Sequence, residues 1–563
     1  MRTPGKHARF GPPVISAPVR GDEITPSVAR PRLTVAETMA GLLPMLALLF
    51  IAWPFQADDA FITFRYSDHL AHGFGPVWNA TGHPVEGYTS FTWMLALAGA
   101  AWVHLGIFSV AKVLGALSLV ATVLALRFYG EYLTGDRRAG QVAAFGLVLY
   151  VPAYLHAVSG LDTPFYALIV LMLVMETLCV LRGNRTLLRA DRIPHVVLPL
   201  LALLVSLTRP EGVLLAGVSS GAWLVADSNQ RRRAFLALAS LFVAPYLLFL
   251  GWRFRFYGWL LPNTFFVKST GTGLESGAQW LGSQVQFLAP LLVAVSVGAV
   301  LLRQSHRPWR ARLSIVYLEL ALAVTVVPYA FASNLTDGQH RFLMHSLPLW
   351  FAIVGVAMSR LASAVRTVSP KRLVIAGLLP SVALTLPLLT NGSVAFSLLV
   401  HDHAARSSRA LGTDLRDLPV PAEERSLALE DAGEVPFESG WKTLDLVGLN
   451  DEALAHGDAS AMDRFRSEHP TVLIFNNTVD GIEIPPWFVL DAATVAIDYA
   501  PAGTVEYFSN YFYGVWVARS ASPQTQEAVR ALVERLHTTS VRSNGSRNYG
   551  DVGEYLLDRL WPG

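Results

Sequence analysis

Two adjacent carboxylates, Asp58-Asp59, follow directly on the apolar run at 35–55. Side chains of neighbouring residues point different ways, so the pair need not share one proton. One can act as general base on an acceptor hydroxyl while the other binds a cation or orients the first. A carboxylate near apolar walls has its pKa raised toward the range such a base needs. The same dipeptide would also serve as a solvated loop start that ends a helix, so the pair alone leaves both readings open. Paired carboxylates could hold a divalent cation such as Mg or Mn, although no complete ligand set is visible.

The elements that position these residues follow from composition and charge. The chain has 563 residues, of which 52% are hydrophobic and 15% charged; soluble domains carry about 25% charged residues. Mean hydropathy is +0.40. Residues 1–390 hold 31 Lys+Arg and 17 Asp+Glu, whereas 391–563 hold 13 and 25. The net charge of +2 is thus +14 on the first part and −12 on the second. This predicts an α-helical polytopic membrane protein followed by a soluble part, where β-type runs at 425–430, 471–475, 494–499 and 515–518 and a helix at 524–537, with apolar Ala528, Ala531, Leu532 and Leu536 on one side, read as a small α/β domain. Residues 1–33 read as a disordered cytoplasmic tail, 34–390 as the membrane part and 391–563 as the extracytoplasmic part. The single cysteine, Cys179, excludes a disulfide framework. The dispersed basic charge is not a nucleic-acid signal.

Apolar runs of bilayer length, about 20 residues, predict eleven spans: 35–55, 109–128, 140–158, 163–182, 194–208, 211–227, 234–251, 284–302, 313–332, 348–365 and 372–390. With 89–105 lying at the outer surface, the tail and alternate loops hold 23 basic residues and the opposite loops six. The excess marks the cytoplasmic side. The N-terminus is expected inside the cytoplasmic membrane and the C-terminal part outside.

Under this topology the unusual polar residues gather on the outer face. They are Asp58, Asp59, Arg65 and Glu86-Gly87-Tyr88 in the first outer loop, Asp162 in the second and Arg209 with Glu211 in the third. Asn263 and Lys268 lie in the fourth, and Asp337, His340 and Arg341 in the fifth. Ionisable groups near the membrane are costly and suggest function. Tyr66, Trp78, Tyr88 and Trp93 lie in the same loop, and Trp and Tyr beside a membrane read first as an interfacial belt. Arg253 and Arg255 read as interfacial snorkelling, and Glu176 and Glu319 as buried structural ion pairs with inner arginines.

Several stretches carry a resemblance. Asp58-Asp-Ala-Phe-Ile-Thr-Phe-Arg-Tyr66, Gly73-Phe-Gly-Pro-Val-Trp-Asn79 and Pro84-Val-Glu-Gly-Tyr-Thr-Ser-Phe-Thr-Trp93 resemble the first outer loop of polytopic bacterial glycosyltransferases of the GT-C fold. Ser159-Gly-Leu-Asp-Thr-Pro164 is similar to their "SGLET-P" loop, with Asp162 in place of Glu. Tyr257-Gly-Trp-Leu-Leu-Pro-Asn-Thr-Phe-Phe-Val-Lys268 is similar to "YGxxxPNTxxxK". Asp431-Ala-Gly-Glu-Val-Pro436 and Asp445-Leu-Val-Gly-Leu-Asn-Asp451 resemble their soluble-tail signature. The fifth loop keeps only Arg341-Phe342 of "GDWMPxxRF". Within that fold the chain resembles arabinofuranosyltransferases of the mycobacterial AftB type in its Asp58-Asp59 first loop, its Gly73-Phe-Gly-Pro-Val-Trp-Asn79 stretch and its soluble outer tail.

The resemblance implies a polyprenyl-phosphate sugar donor, such as decaprenyl-phosphoryl-arabinose, and a cell-envelope polysaccharide or glycoprotein acceptor. A phosphate needs cations, and Arg65, Arg209, Lys268 and Arg341 are the external ones. Asp58 or Asp59 would deprotonate the acceptor. Glu86, Tyr88, Asp162, Glu211, Asn263, His340, Asp431, Asp445, Asn450 and Asp451 would contact substrate. For the last four, turn chemistry and helix capping is the competing reading. A polyprenyl-lipid transporter or flippase, and a mannosyl- or other hexosyltransferase of the same fold, are the alternative functions.

Overall fold

The computed structural model describes residues 34–183, 194–226, 230–269, 274–302, 309–331, 337–364, 369–390, 394, 407–478, 480–508 and 511–544. The expected tail, 1–33, lies outside them. The membrane part is a helical bundle. Helix α1 (Val35–Ala52) leads to α2 (Asp59–Ala71), α3 (Phe91–Trp102) and α4 (Ile107–Thr134). Then follow α5 (Arg137–Val148), α6 (Pro152–Val158), α7 (Thr163–Leu181), α8 (Pro194–Thr208) and α9 (Gly212–Ala226). Next come α10 (Arg231–Leu238), α11 (Ala244–Tyr257), α12 (Asn263–Ser269), α13 (Leu274–Leu302), α14 (Trp309–Val326), α15 (Leu347–Ala364) and α16 (Pro370–Thr390).

Among the described residues, seven helical stretches are long and apolar enough to cross a membrane. An eighth is α5 with α6, bent by 70°, at a break that Pro152 closes as the first residue of α6. One of the seven runs from Arg231 to Tyr257, where α10 and α11 join through a π-helical turn at Ala239–Val243. The other three expected spans, 35–55, 194–208 and 211–227, are shorter apolar helices. Helix α3 has 12 residues, about 18 Å at 1.5 Å per residue, against a hydrocarbon core of about 30 Å.

Glu176 is buried and accepts a hydrogen bond from the Tyr129 hydroxyl. Glu319 departs from expectation. It is exposed on α14, with no ion-pair partner among the described residues.

The soluble part is a five-stranded sheet in the order β2-β1-β3-β5-β4. The strands are β1 (Ser426–Leu429), β2 (Lys442–Asp445), β3 (Val472–Asn477), β4 (Tyr499–Phe508) and β5 (Tyr511–Ala518). Strand β1 pairs in parallel with β2 and β3, whereas β5 pairs antiparallel with β3 and β4. The helix expected at 524–537 runs from Pro523 to Asn544 and packs Val529, Leu532 and Val533 on one core. One expected strand, 494–499, is instead helical up to Asp498, the end of the helix Ala492–Asp498, and Tyr499 opens β4. Asp491 caps that helix by accepting from the Thr494 amide and hydroxyl, and this cap outweighs the β-preference of Thr494 and Val495.

Candidate active site

Helix α2 begins at the carboxylate pair. Asp58 holds its N-cap position without capping it, because the Asp58 side chain is turned to the soluble domain. Its Oδ1 accepts from the Glu434 amide at 2.8 Å. Gly433 packs so closely that a Cβ there would lie 2.0 Å from Asp58 Oδ2, so only glycine fits. Burial, then the nearby Asp431 carboxylate, pushes the Asp58 pKa well above the usual carboxylate range. Asp431 is likewise raised by burial, with Asp59 adding to the effect and the hydrogen bond from Asn476 opposing it.

Asp59 points the other way, into a cavity of about 450 Å³. Segments of all five outer loops line it, including Tyr88, Asp162, Arg209, Glu211, Lys268 and Arg341. Asp59 lies 3.5 Å from the Arg341 guanidinium, and its side chain is 39% exposed. Lys268 has no hydrogen-bond or ion-pair partner among the described residues, and burial lowers its pKa to about 8. On one flank the lining residues Leu214, Phe265 and Phe331 are about half exposed, giving the cavity an apolar mouth.

Arg209 is held rather than open. It forms a two-pronged pair with Asp162 at 2.8 and 2.9 Å and donates to the Tyr329 hydroxyl at 3.0 Å. Tyr329 in turn donates to Glu211. Burial works against the Arg209 charge, but Asp162, Tyr329 and Glu211 outweigh it and keep the pKa high. Asp162 and Glu211 thus meet Arg209 at the cavity wall. Trp93, also in the wall, donates to the Gly160 carbonyl.

Arg65 is not a phosphate contact. It is 3% exposed, and its N–H groups donate to the carbonyls of Trp78, Pro436 and Trp441 at 2.5–2.7 Å and to Asn79 Oδ1 at 3.1 Å. It clamps the first outer loop to the soluble domain. Trp78 and Asn79 add donors to the Thr443 carbonyl, and the Thr443 amide answers Asn79.

Glu86 also departs from a substrate role. It is 3% exposed and pairs with Arg253 through both oxygens, at 2.6 and 2.9 Å. The same pair overturns the snorkelling expected of Arg253, which is buried, whereas Arg255 is exposed. Tyr88 lines the cavity, its hydroxyl 3.3 Å from that of Tyr257. Asn263 is buried behind the wall and donates its amide to the Glu86 carbonyl. His340 bonds to Gln284 and stacks on Phe287, away from the cavity lining. Asp337, a candidate partner for Arg341, instead accepts from Trp280 and the Phe342 amide.

In the soluble domain, Asp445 accepts from the amides of Val447, Gly448 and Asn450; burial raises its pKa to about 6. Asp451 caps the helix Glu452–His456 and pairs with Arg464. These two are turn and cap residues. Asn450 accepts from the Tyr66 hydroxyl, which also receives the Gly87 amide. Asp431, Asp445, Asn450 and Asp451 stand outside the cavity, which the soluble domain reaches through Leu449. Among the described residues, no group of three or more His, Cys, Asp or Glu side chains could hold a metal ion, and the Asp58 and Asp59 side chains are turned apart.

Residues 401–527 match a family model described as a domain of unknown function, DUF8728. Over 302 residues the chain is 30% identical to terminal beta-(1->2)-arabinofuranosyltransferase of Mycobacterium tuberculosis (strain ATCC 25618 / H37Rv). The match covers 50% of this chain and 47% of that protein, so the chain spans about half the length of this relative. The crystal structure of ArnT from Cupriavidus metallidurans bound to undecaprenyl phosphate superposes with a TM-score of 0.57 at 14% identity. It covers 87% of this chain and 100% of ArnT. Apo ArnT gives 0.54 over 87% and 99%, also at 14% identity. The chain is a multi-pass membrane protein with the GT-C-type fold of ArnT, carrying a small C-terminal α/β domain.

Proposed function

We propose that the protein is a membrane glycosyltransferase. It moves a sugar, D-arabinofuranose on the relative's account, from a polyprenyl-phosphate donor to a cell-envelope glycan. The reaction takes place on the outer face of the cytoplasmic membrane. One observation carries this reading: a single cavity joins the carboxylate of Asp59, the ammonium of Lys268, which has no partner among the described residues, and an apolar mouth at Leu214, Phe265 and Phe331. A polyprenyl chain enters through such a mouth, its phosphate meets Lys268 and Arg341, and the sugar faces Asp59. The ArnT structure bound to undecaprenyl phosphate supports a lipid of this class, and the named relative supports the pentose.

Asp59 takes the proton of the acceptor hydroxyl as the acceptor oxygen bonds to the anomeric carbon. The bond from that carbon to the phosphate oxygen breaks. Its electron pair leaves with polyprenyl phosphate, whose added charge Lys268 and Arg341 offset. Arg209, fixed by Asp162 and Tyr329, shapes the wall and adds to the positive field. Asp58 positions α2 by holding the Gly433-Glu434 backbone.

The test is transfer by the purified chain from decaprenyl-phosphoryl-arabinose, with a polyprenyl-phosphoryl-mannose control. Product from the arabinose donor alone supports the pentosyl reading, and product from mannose alone makes it a hexosyltransferase. Lipid translocation across vesicles with no sugar transfer would establish the transporter instead.

A further inference from the structure

A second cavity, of about 410 Å³, lies between the first outer loop at 78–85 and the soluble domain at 442–468. A thin wall separates it from the catalytic cavity. Gly87 and Leu449 line one side, and Val85 and Asn450 line the other. The wall is closed: a Cβ at Gly87 would lie 1.8 Å from Asn450 Oδ1.

The chemistry of the two cavities differs. The second lacks the exposed apolar mouth of the first, so nothing in it suits a lipid tail. Its carboxylates are Asp451, Glu452, Asp458 and Glu468, against the fixed cations Lys442 and Arg464. Arg464 is 2.8 Å from Asp451 and 3.0 Å from Glu468, and Lys442 is 2.8 Å from Glu468. The excess of carboxylate disfavours phosphate or sulfate. Paired carboxylates keep spare lone pairs, and guanidinium and ammonium keep spare N–H groups. The Asp458 carboxylate and Thr81 hydroxyl have no hydrogen-bond partner among the described residues. Spare donors and acceptors of both kinds match an uncharged ligand dense in hydroxyl groups.

We propose that this cavity is a saccharide subsite that holds a part of the acceptor glycan remote from the reacting hydroxyl. This rests on the transferase reading above for its role. Because the wall is closed, the glycan reaches both cavities around the outer rim, so the subsite favours long acceptors over short ones.

The full chain in nanodiscs is titrated calorimetrically with a linear arabinofuranose hexasaccharide, maltohexaose and a sulfated hexasaccharide. At least one neutral hexasaccharide is expected to bind, and the sulfated one to bind more weakly. Thr81→Trp, which fills the cavity from an exposed loop, should weaken binding at least tenfold, on the order of 1.4 kcal/mol. Asp458→Ala, a milder change that keeps the loop intact, should weaken it severalfold. The ratio of KM for hexasaccharide to KM for disaccharide should rise in both variants. No binding of either neutral sugar, binding unchanged in both cavity variants, or tighter binding of the sulfated sugar would each overturn the subsite. Neutral-sugar binding by a chain that transfers no sugar would support the subsite while refuting the transferase reading.

Discussion

The first outer loop has two faces, and both carry charge. On the face toward the soluble domain, Arg65 donates to four oxygens, Asp58 holds the Glu434 amide, and Glu434 is met by Gln56 and Arg409. On the face toward the cavity, Asp59 has one loose ion pair at 3.5 Å, and Lys268, across from it, has no partner among the described residues. The saturated face builds the molecule, and the unsaturated face is left for a substrate. A half-buried charge without a partner among the described residues costs stability, so its presence at a cavity with an apolar mouth marks a site rather than a scaffold.

The saturated face depends most on Arg65. Replacing it with alanine strands the carbonyls of Trp78, Pro436 and Trp441 and should destabilise domain docking by about 3–5 kcal/mol. Arg65→Lys should recover little, since one ammonium cannot span four acceptors. Thermal unfolding and limited proteolysis of the 407–544 region check both. A protein that keeps its docked domain with Arg65→Ala would contradict the clamp.

Lys268→Ala should act on the open face instead. It should leave thermal stability near or above that of the wild type and raise the donor KM by about 10- to 100-fold, the weight of one charge-assisted phosphate contact. A fall in melting temperature with unchanged donor KM would make Lys268 structural.

The same group gives a pH signature. Burial has lowered the Lys268 pKa from 10.5 to about 8, so its charge is present below that value and lost as pH rises through it. Donor binding measured on the free enzyme should therefore weaken between pH 7 and 9, and Lys268→Ala should flatten that dependence.

The smallest effect is expected at Asp431, whose folded pKa is raised from 3.8 by burial. The folded state then binds the proton more tightly than the unfolded chain, so this carboxyl lowers stability as pH rises above its unfolded value. Asp431→Asn should raise the melting temperature by a few degrees at pH 8 and by less at pH 5.

The distribution of arginine made much of this arrangement legible. Sorting Arg231–Arg233, Arg303 and Arg372 to one side put the loops of Asp59, Asp162, Arg209, Lys268 and Arg341 on the other, and those residues do line one cavity. Local pattern could not show saturation. The carbonyls that occupy Arg65 belong to Pro436 and Trp441, 371 and 376 residues away, and Glu86 meets Arg253 across 167 residues. The close approach of Gly433 to Asp58 likewise has no signal in a sequence whose glycines serve many turns. At 494–499 a single capping carboxylate, Asp491, reversed the strand that Thr and Val suggested.

The adjacent carboxylates of Asp58 and Asp59 have separate work, and the transfer rates of Asp58→Asn and Asp59→Asn, measured side by side on protein of equal folded content, test that division. Asparagine at 58 can still accept the Glu434 amide, so that variant should keep activity within about tenfold. Asparagine at 59 cannot take the acceptor proton, so the rate should fall by about 10²- to 10⁴-fold. Full activity in Asp59→Asn, or collapse of activity in a well-folded Asp58→Asn alone, would contradict the assignment.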